Sequence, residues 1–295
     1  MYRTTGAAGP VRQRTGALPL GLARIVHRRF PRGSYRVDDP FSVRHFTDLT
    51  DGYGVTYRPD VAERSGGNSF TTMATELIET MSTPDDPIEI VVVAHATPDI
   101  DCRLSAATYL SDALPTTSLV FALSDGGSCT PYTALRVVGD YAWRQGYQSA
   151  MVLLMDQATL PYDTGRTLSG DAAIGILLQR ECQTGLVLRQ VTGVRPEDVA
   201  TAVADVLSEV AGDEPVAVIA GTGIDPGRDL PEHAEALWCA ETGFPCTATW
   251  EGLARFFGTA SGGRVVLADY EAETGDLGVC VVERPWLADD ARDRA

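Results

Sequence analysis

The stretch Ser124–Thr130 reads SDGGSCT and sets Cys129 directly ahead of a helical pattern. Free amide hydrogens and the positive end of a helix dipole stabilise a thiolate at such a position. The same amides can hold the oxyanion of an acyl intermediate. Asp125, Gly126 and Gly127 supply a tight turn that brings backbone close to a ligand, and Ser128 offers a hydroxyl as the alternative nucleophile. Either nucleophile needs a general base within hydrogen-bond reach. The chain has four His, at 27, 45, 95 and 233. His95 ends an apolar strand and His233 opens a predicted helix, so these two are the base candidates. Asp99, Asp101 and Asp225 could orient a base, although acids at such positions also serve turns and caps.

Apolar spacing predicts the elements that position these residues. Phe70, Met73, Ala74, Leu77, Ile78 and Met81 mark an amphipathic helix. A strand follows at Pro87–His95, then a helix over Asp101–Leu114 and a strand at Ser118–Leu123. Thr130 can cap a third helix with Pro131 in its first turn. Strands at Ala150–Met155, Ala172–Leu178 and Leu186–Val191 close the first half. The order then recurs: a helix from Pro196, a strand at Pro215–Ala220, a helix over Pro231–Glu241 and a short strand at Phe244–Thr247. Thr249 caps a helix carrying Trp250, Leu253, Ala254 and Phe257, and strands at Arg264–Ala268 and Leu277–Val282 end the run. The expected fold is α/β and duplicated, with two mainly parallel sheets around a shared helical layer. Boundaries follow at 1–21 for a flexible Arg-rich leader, 22–192 and 193–285 for the two halves, and 286–295 for a flexible tail.

Ligands in such folds collect where strands end and helices begin. Four junctions qualify: Ala96–Asp101 (ATPDID), Ser124–Thr130, Gly221–Gly227 (GTGIDPG) and Pro245–Thr249 (PCTAT). They add Thr97, Thr222 and Thr249 to the substrate-binding candidates. The glycines of GTGIDPG do not follow the G-x-G-x-x-G spacing of dinucleotide sites.

Composition narrows the chemistry further. All 24 basic residues are Arg, so lysine Schiff bases, pyridoxal-phosphate lysines and P-loop lysines are absent. Residues 1–36 hold eight Arg and no acid, which leaves a net charge of −24 on the remainder. An acidic body argues against broad nucleic-acid binding. No apolar run reaches the roughly eighteen residues of a membrane span. Six scattered Cys without a CxxC pair suit free thiols in a reducing, cytoplasmic setting and predict no structural metal.

The runs ATPD (96–99), FALSDGGSCTPYTAL (121–135) and SGDAAIGILL (169–178), with GVTYRPDVAE (54–63), resemble the thiolase superfamily, specifically ketoacyl-ACP synthase III-like proteins. The resemblance implies that Cys129 takes an acyl group from coenzyme A or an acyl carrier protein and passes it to an acceptor. It implies no permanently bound cofactor, with acyl-CoA or a phosphopantetheine-linked acyl group as substrate, and a homodimer paired through its central sheets. The setting would be polyketide or fatty-acid-like specialised metabolism. Condensing enzymes of the family place a His where this chain reads GTGID and an Asn where it reads PCTATWEG, and the only Asn here is Asn68. Counting back from Ala134-Leu135 puts Ser128 rather than Cys129 on the nucleophile position. The expected function is therefore an acyltransferase or modified condensing enzyme, whose carrier protein could dock on Arg28, Arg29 and Arg32. The alternatives are an inactive ketosynthase-like scaffold or partner, including a partner of a heterologous ketosynthase, and a hydrolase or dehydratase working with Asp and His.

Overall fold

The computed structural model describes residues 11–12, 16–59, 61, 66–81, 87–114, 117–124, 126–212, 214–259 and 263–284. Strands β2 (Gly21–Phe30), β3 (Ile90–His95), β4 (Leu119–Leu123), β5 (Ser149–Asp156) and β6 (Asp171–Gln179) form a five-stranded sheet in the order β2-β6-β5-β3-β4. Strands β7 (Gly185–Thr192), β8 (Val216–Ala220), β9 (Ala234–Cys239), β10 (Gly263–Glu271) and β11 (Asp276–Arg284) take the order β7-β11-β10-β8-β9. Counted within each set, the strand order is identical, so the duplicated architecture is present.

Side-chain alternation along the strands builds the layers. Ile90, Val92 and Ala94 face the central helix Thr130–Gln145 and meet its Leu135, Val138 and Ala142. Val91 and Val93 face the other way, onto the helix Phe70–Met81. Across the central layer, Val265, Leu267 and Ile219 of the second sheet join the same core with Trp250 and Leu253 of the helix Ala248–Thr259. The helix Val199–Ala211 covers the outer face of that sheet through Val199, Val203, Val206 and Leu207. Among the described residues no helix is long and apolar enough to cross a membrane.

The sheets are mainly parallel, as expected, while other expectations need correction. Each five-strand set has one reversed strand: β3 runs parallel to β4 and β5, whereas β6 is antiparallel to β5 and β2, and the second sheet repeats this with β11. The reason is that β5 and β6, like β10 and β11, follow one another without a crossover helix. Strand β7 belongs to the second sheet, so the first sheet ends at Gln179 rather than near 192. The expected helix over Pro231–Glu241 is strand β9, because Ala234, Ala236 and Trp238 repeat with period two beside β8. The helix of that repeat unit is the short turn Pro226–Asp229, capped by Asp225. Phe244–Thr247 is turn, not strand. A helix at Pro40–Tyr53, capped by Asp39, is not evident from apolar spacing because polar residues interrupt its apolar face.

The expected flexible leader contributes structure where it is described. Val11–Arg12 forms β1 along β7, and Ala17 bridges Val187. Leu18 lies so close to the central helix that a Cβ on Gly139 would strike it. Residues 286–295 lie outside the described residues.

Candidate active site at the head of the central helix

A 3₁₀ turn, Gly127–Cys129, leads into the central helix. Gly127 has φ +51°, and a Cβ there would fall on the Glu271 carboxylate. Glu271 thus fills the space that the glycine leaves at the helix head. It accepts the Ser128 N–H at 3.0 Å and an Arg166 guanidinium N–H at 3.0 Å. Arg166 also pairs with Glu273.

Cys129 sits beneath this arrangement, 2% exposed. Its Sγ–H donates to the backbone carbonyls of Asp276 at 3.2 Å and, more weakly, Asp269 at 3.6 Å. Burial pushes the thiol well above its ordinary pKa, and the negative charges of Asp269, Asp276 and Glu271 push it further. Burial and these carboxylates therefore act against the helix dipole and the Gly278 N–H, which favour a thiolate here. Ser128 is buried too, and its hydroxyl has no hydrogen-bond partner among the described residues, as is true of the Thr130 hydroxyl. Thr130 therefore does not cap the helix.

Asp269, fully enclosed near the end of β10, accepts the Tyr132 hydroxyl at 2.7 Å and the Thr249 hydroxyl at 2.9 Å. A Cβ on Gly221 would land on this carboxylate. The Asp269 carboxylate, from the neighbouring strand, thus lies against the GTGID stretch that the resemblance singles out for a His. Burial raises the Asp269 carboxyl to about 7, against the lowering effect of its two hydroxyl donors. Asp156, at the end of β5, accepts the Cys246 and Thr247 N–H groups and the Thr247 hydroxyl. Burial raises it to about 6. Asp156 caps the helix Ala248–Thr259 from the other half of the molecule, a role that local sequence assigns to Thr249.

The two halves therefore complete each other. Strand β5 of the first reaches the helix head of the second, and β10 of the second reaches that of the first. The sequence holds a signal for this that motif spacing alone passes over. Both fourth strands carry Asp at or near their ends, in LLMD (153–156) and VLAD (266–269), and a Cys-Thr pair stands at the head of the following central-layer helix in each half, at 129–130 and 246–247.

The expected bases do not join the site. His95 follows the strand alternation onto the outer face, where its ring packs 5.0 Å from Phe70 and its Nδ1 lies 2.7 Å from the Thr97 carbonyl. His233 sits at the opposite end of the second sheet, its carbonyl accepting the N–H of Val216 at the start of β8. The length of β8, roughly 17 Å at about 3.3 Å per residue, separates it from the Gly221 end. Thr97 is buried, Thr222 is exposed, Gly126 lies in the turn, and Asp125 is outside the described residues. Asp99 caps the helix Phe70–Met81 through the Phe70 N–H, Asp101 binds Tyr35, and Asp225 caps its own turn. Of the expected carrier-docking patch, Arg28 pairs with Glu76, while Arg29 pairs with Glu241 and Glu251. Alternation along β2 sends these two to opposite faces, so they form no common patch. Among the described residues no cluster of His, Cys, Asp and Glu is arranged to hold a metal ion.

The fold is thiolase-like, the same as that of several solved condensing enzymes. The chain is similar to AbyA1, a tetronic acid condensing enzyme, at 15% identity and TM-score 0.62, covering 90% of this chain and 99% of that one. It is similar to OleA from Xanthomonas campestris at 11% identity and TM-score 0.55, covering 92% and 100%. A third is FabH, the 3-oxoacyl-(acyl carrier protein) synthase III of Pseudomonas aeruginosa PAO1, at 16% identity and TM-score 0.55, covering 93% and 100%. No family model and no curated protein matches the chain.

Proposed function

We propose that this protein is a thiolase-fold partner or scaffold that does not carry acyl groups on Cys129. The observation that supports this reading is the state of that thiol: buried, donating to two backbone carbonyls and surrounded by carboxylates. A nucleophile that must enter a thioester carbonyl needs a thiolate and an approach path, and burial among carboxylates disfavours both, while no His among the described residues is placed beside it. Its working partner would be a second thiolase-fold chain, a copy of itself or a heterologous ketosynthase handling acyl-CoA or acyl-carrier-protein thioesters. The open edge of β4, with Phe121 packed on the part-exposed Tyr141, supports pairing through the first sheet.

The test is intact-protein mass spectrometry after incubation with a panel of acyl-CoAs and an acylated carrier protein. Cys129→Ala and Ser128→Ala run in parallel. The expected result is no adduct on the native protein with any donor. A mass increase that disappears in Cys129→Ala would restore the acyltransferase reading.

A further inference from the structure

We propose that the turn joining β10 to β11 is a lid over a latent thiol, and that Arg166 latches it shut. The inference rests on the reading that native Cys129 is silent, and adds that the silence is conditional. The strand ends that flank the turn close on the sulfur, since Cys129 donates to the carbonyls of Asp269, near the end of β10, and Asp276, at the start of β11. Between them, the Glu271 side chain reaches down to the Ser128 N–H in the space beside Gly127. Below the turn, the Asp269 side chain is anchored by the Tyr132 and Thr249 hydroxyls, and the turn itself has two further ties. On one side Val194 donates to the Gly275 carbonyl at 2.8 Å and accepts the Tyr270 hydroxyl at 2.9 Å. On the other, Arg166 grips Glu271 and Glu273 at once.

The charges make Arg166 decisive. The lid carries Asp269, Glu271, Glu273 and Asp276, and Arg166 is the cation that pairs with two of them. Removing it leaves Glu271, 7% exposed, with a backbone N–H and no counter-charge. That carboxylate would leave the helix head for water and take the turn with it. Arg166 also belongs to the irregular segment between β5 and β6 rather than to a strand, and such segments open at low free-energy cost.

The experiment follows Cys129 alkylation by iodoacetamide, resolved at the peptide level among the six cysteines. The sulfur gives its proton to buffer, bonds to the reagent methylene and expels iodide. Arg166→Ala and Glu271→Gln are expected to label Cys129 at least about tenfold faster than the native chain. Glu273→Ala, which removes an exposed partner, should stay within about twofold. The lid is refuted if Arg166→Ala and Glu271→Gln keep the native melting temperature yet label no faster. Should both fail to fold, hydrogen exchange on the native chain decides. Segments 126–131 and 270–277 should exchange together and faster than β3 and β5. Exchange only at the rate of global unfolding would overturn the proposal. Native acylation by a thioester would instead sink the silent-partner reading and leave the lid standing, so the two failures are distinct.

Discussion

Replacing Asp269 by Asn should change how the stability of the molecule depends on pH. The folded carboxyl titrates at about 7, against an ordinary value of 3.8, because burial outweighs the Tyr132 and Thr249 hydroxyls that favour its ionised form. A pKa difference of about three, at about 1.4 kcal/mol for each, corresponds to roughly 4 kcal/mol. A folded pKa above the unfolded one means the contribution is fully present below about pH 4 and is lost as pH rises through about 7. The native chain should therefore lose roughly 2–3 kcal/mol from this group between about pH 5 and pH 7. An amide does not titrate. It keeps an acceptor for Tyr132 and turns its N–H₂ towards the Thr249 oxygen, at a cost of about 1 kcal/mol from imperfect geometry. Asp156 titrates in both proteins and cancels in the difference. Urea unfolding at about pH 5, 6, 7 and 8 measures that difference directly. The Asp269→Asn variant should lie about 1 kcal/mol behind at low pH, draw level or slightly ahead by about pH 5 and lead by about 3 kcal/mol at about pH 8. A gap constant to within about 0.5 kcal/mol across the series would refute the assignment of a protonated, enclosed Asp269.

Two further substitutions probe the same seam. Gly127→Ala forces a side chain into the left-handed region and onto Glu271, and should lower stability by about 2–4 kcal/mol; pairing it with Glu271→Gly should return part of that loss in a double-mutant cycle read by urea midpoints. Asp156→Ala strips the acceptor from the Cys246 and Thr247 N–H groups inside the core, and should cost about 3 kcal/mol by thermal unfolding, with Asp156→Asn retaining part of it.

Periodicity makes most of the scaffold readable. The helix Phe70–Met81 and strands β3 to β6 fall where apolar spacing places them, because their buried faces are continuous. Strand β9 reads as helix because Ala234–Cys239 carries an apolar face narrow enough to fit a helix wheel as well, and only its pairing with β8 settles the matter. The place of Cys129 at a helix head is legible, since that depends on residues adjacent in sequence. Its environment is not, since Glu271, Asp269 and Asp276 arrive from about 140 residues away. Capping fails in the same way. Thr130 and Thr249 are good local candidates, yet carboxylates from the opposite half take those positions. His95 and His233 are excluded by strand face and strand direction, which motif spacing does not encode.

The reciprocal capping also bears on how such a molecule can change over time. An active site ordinarily holds polar groups whose needs are met only when substrate arrives, and that shortfall lowers stability. On the proposed reading, the corresponding ground here has been handed to acids whose partners are internal, so the seam between the halves works as a fastening. Substitutions there would be filtered by whether the two halves still interlock, with turnover no longer weighing on the outcome. Drift elsewhere in the chain would then be tolerated in proportion to the reserve of stability that this fastening supplies. Regaining chemistry would require giving up part of that reserve before any catalytic gain appeared.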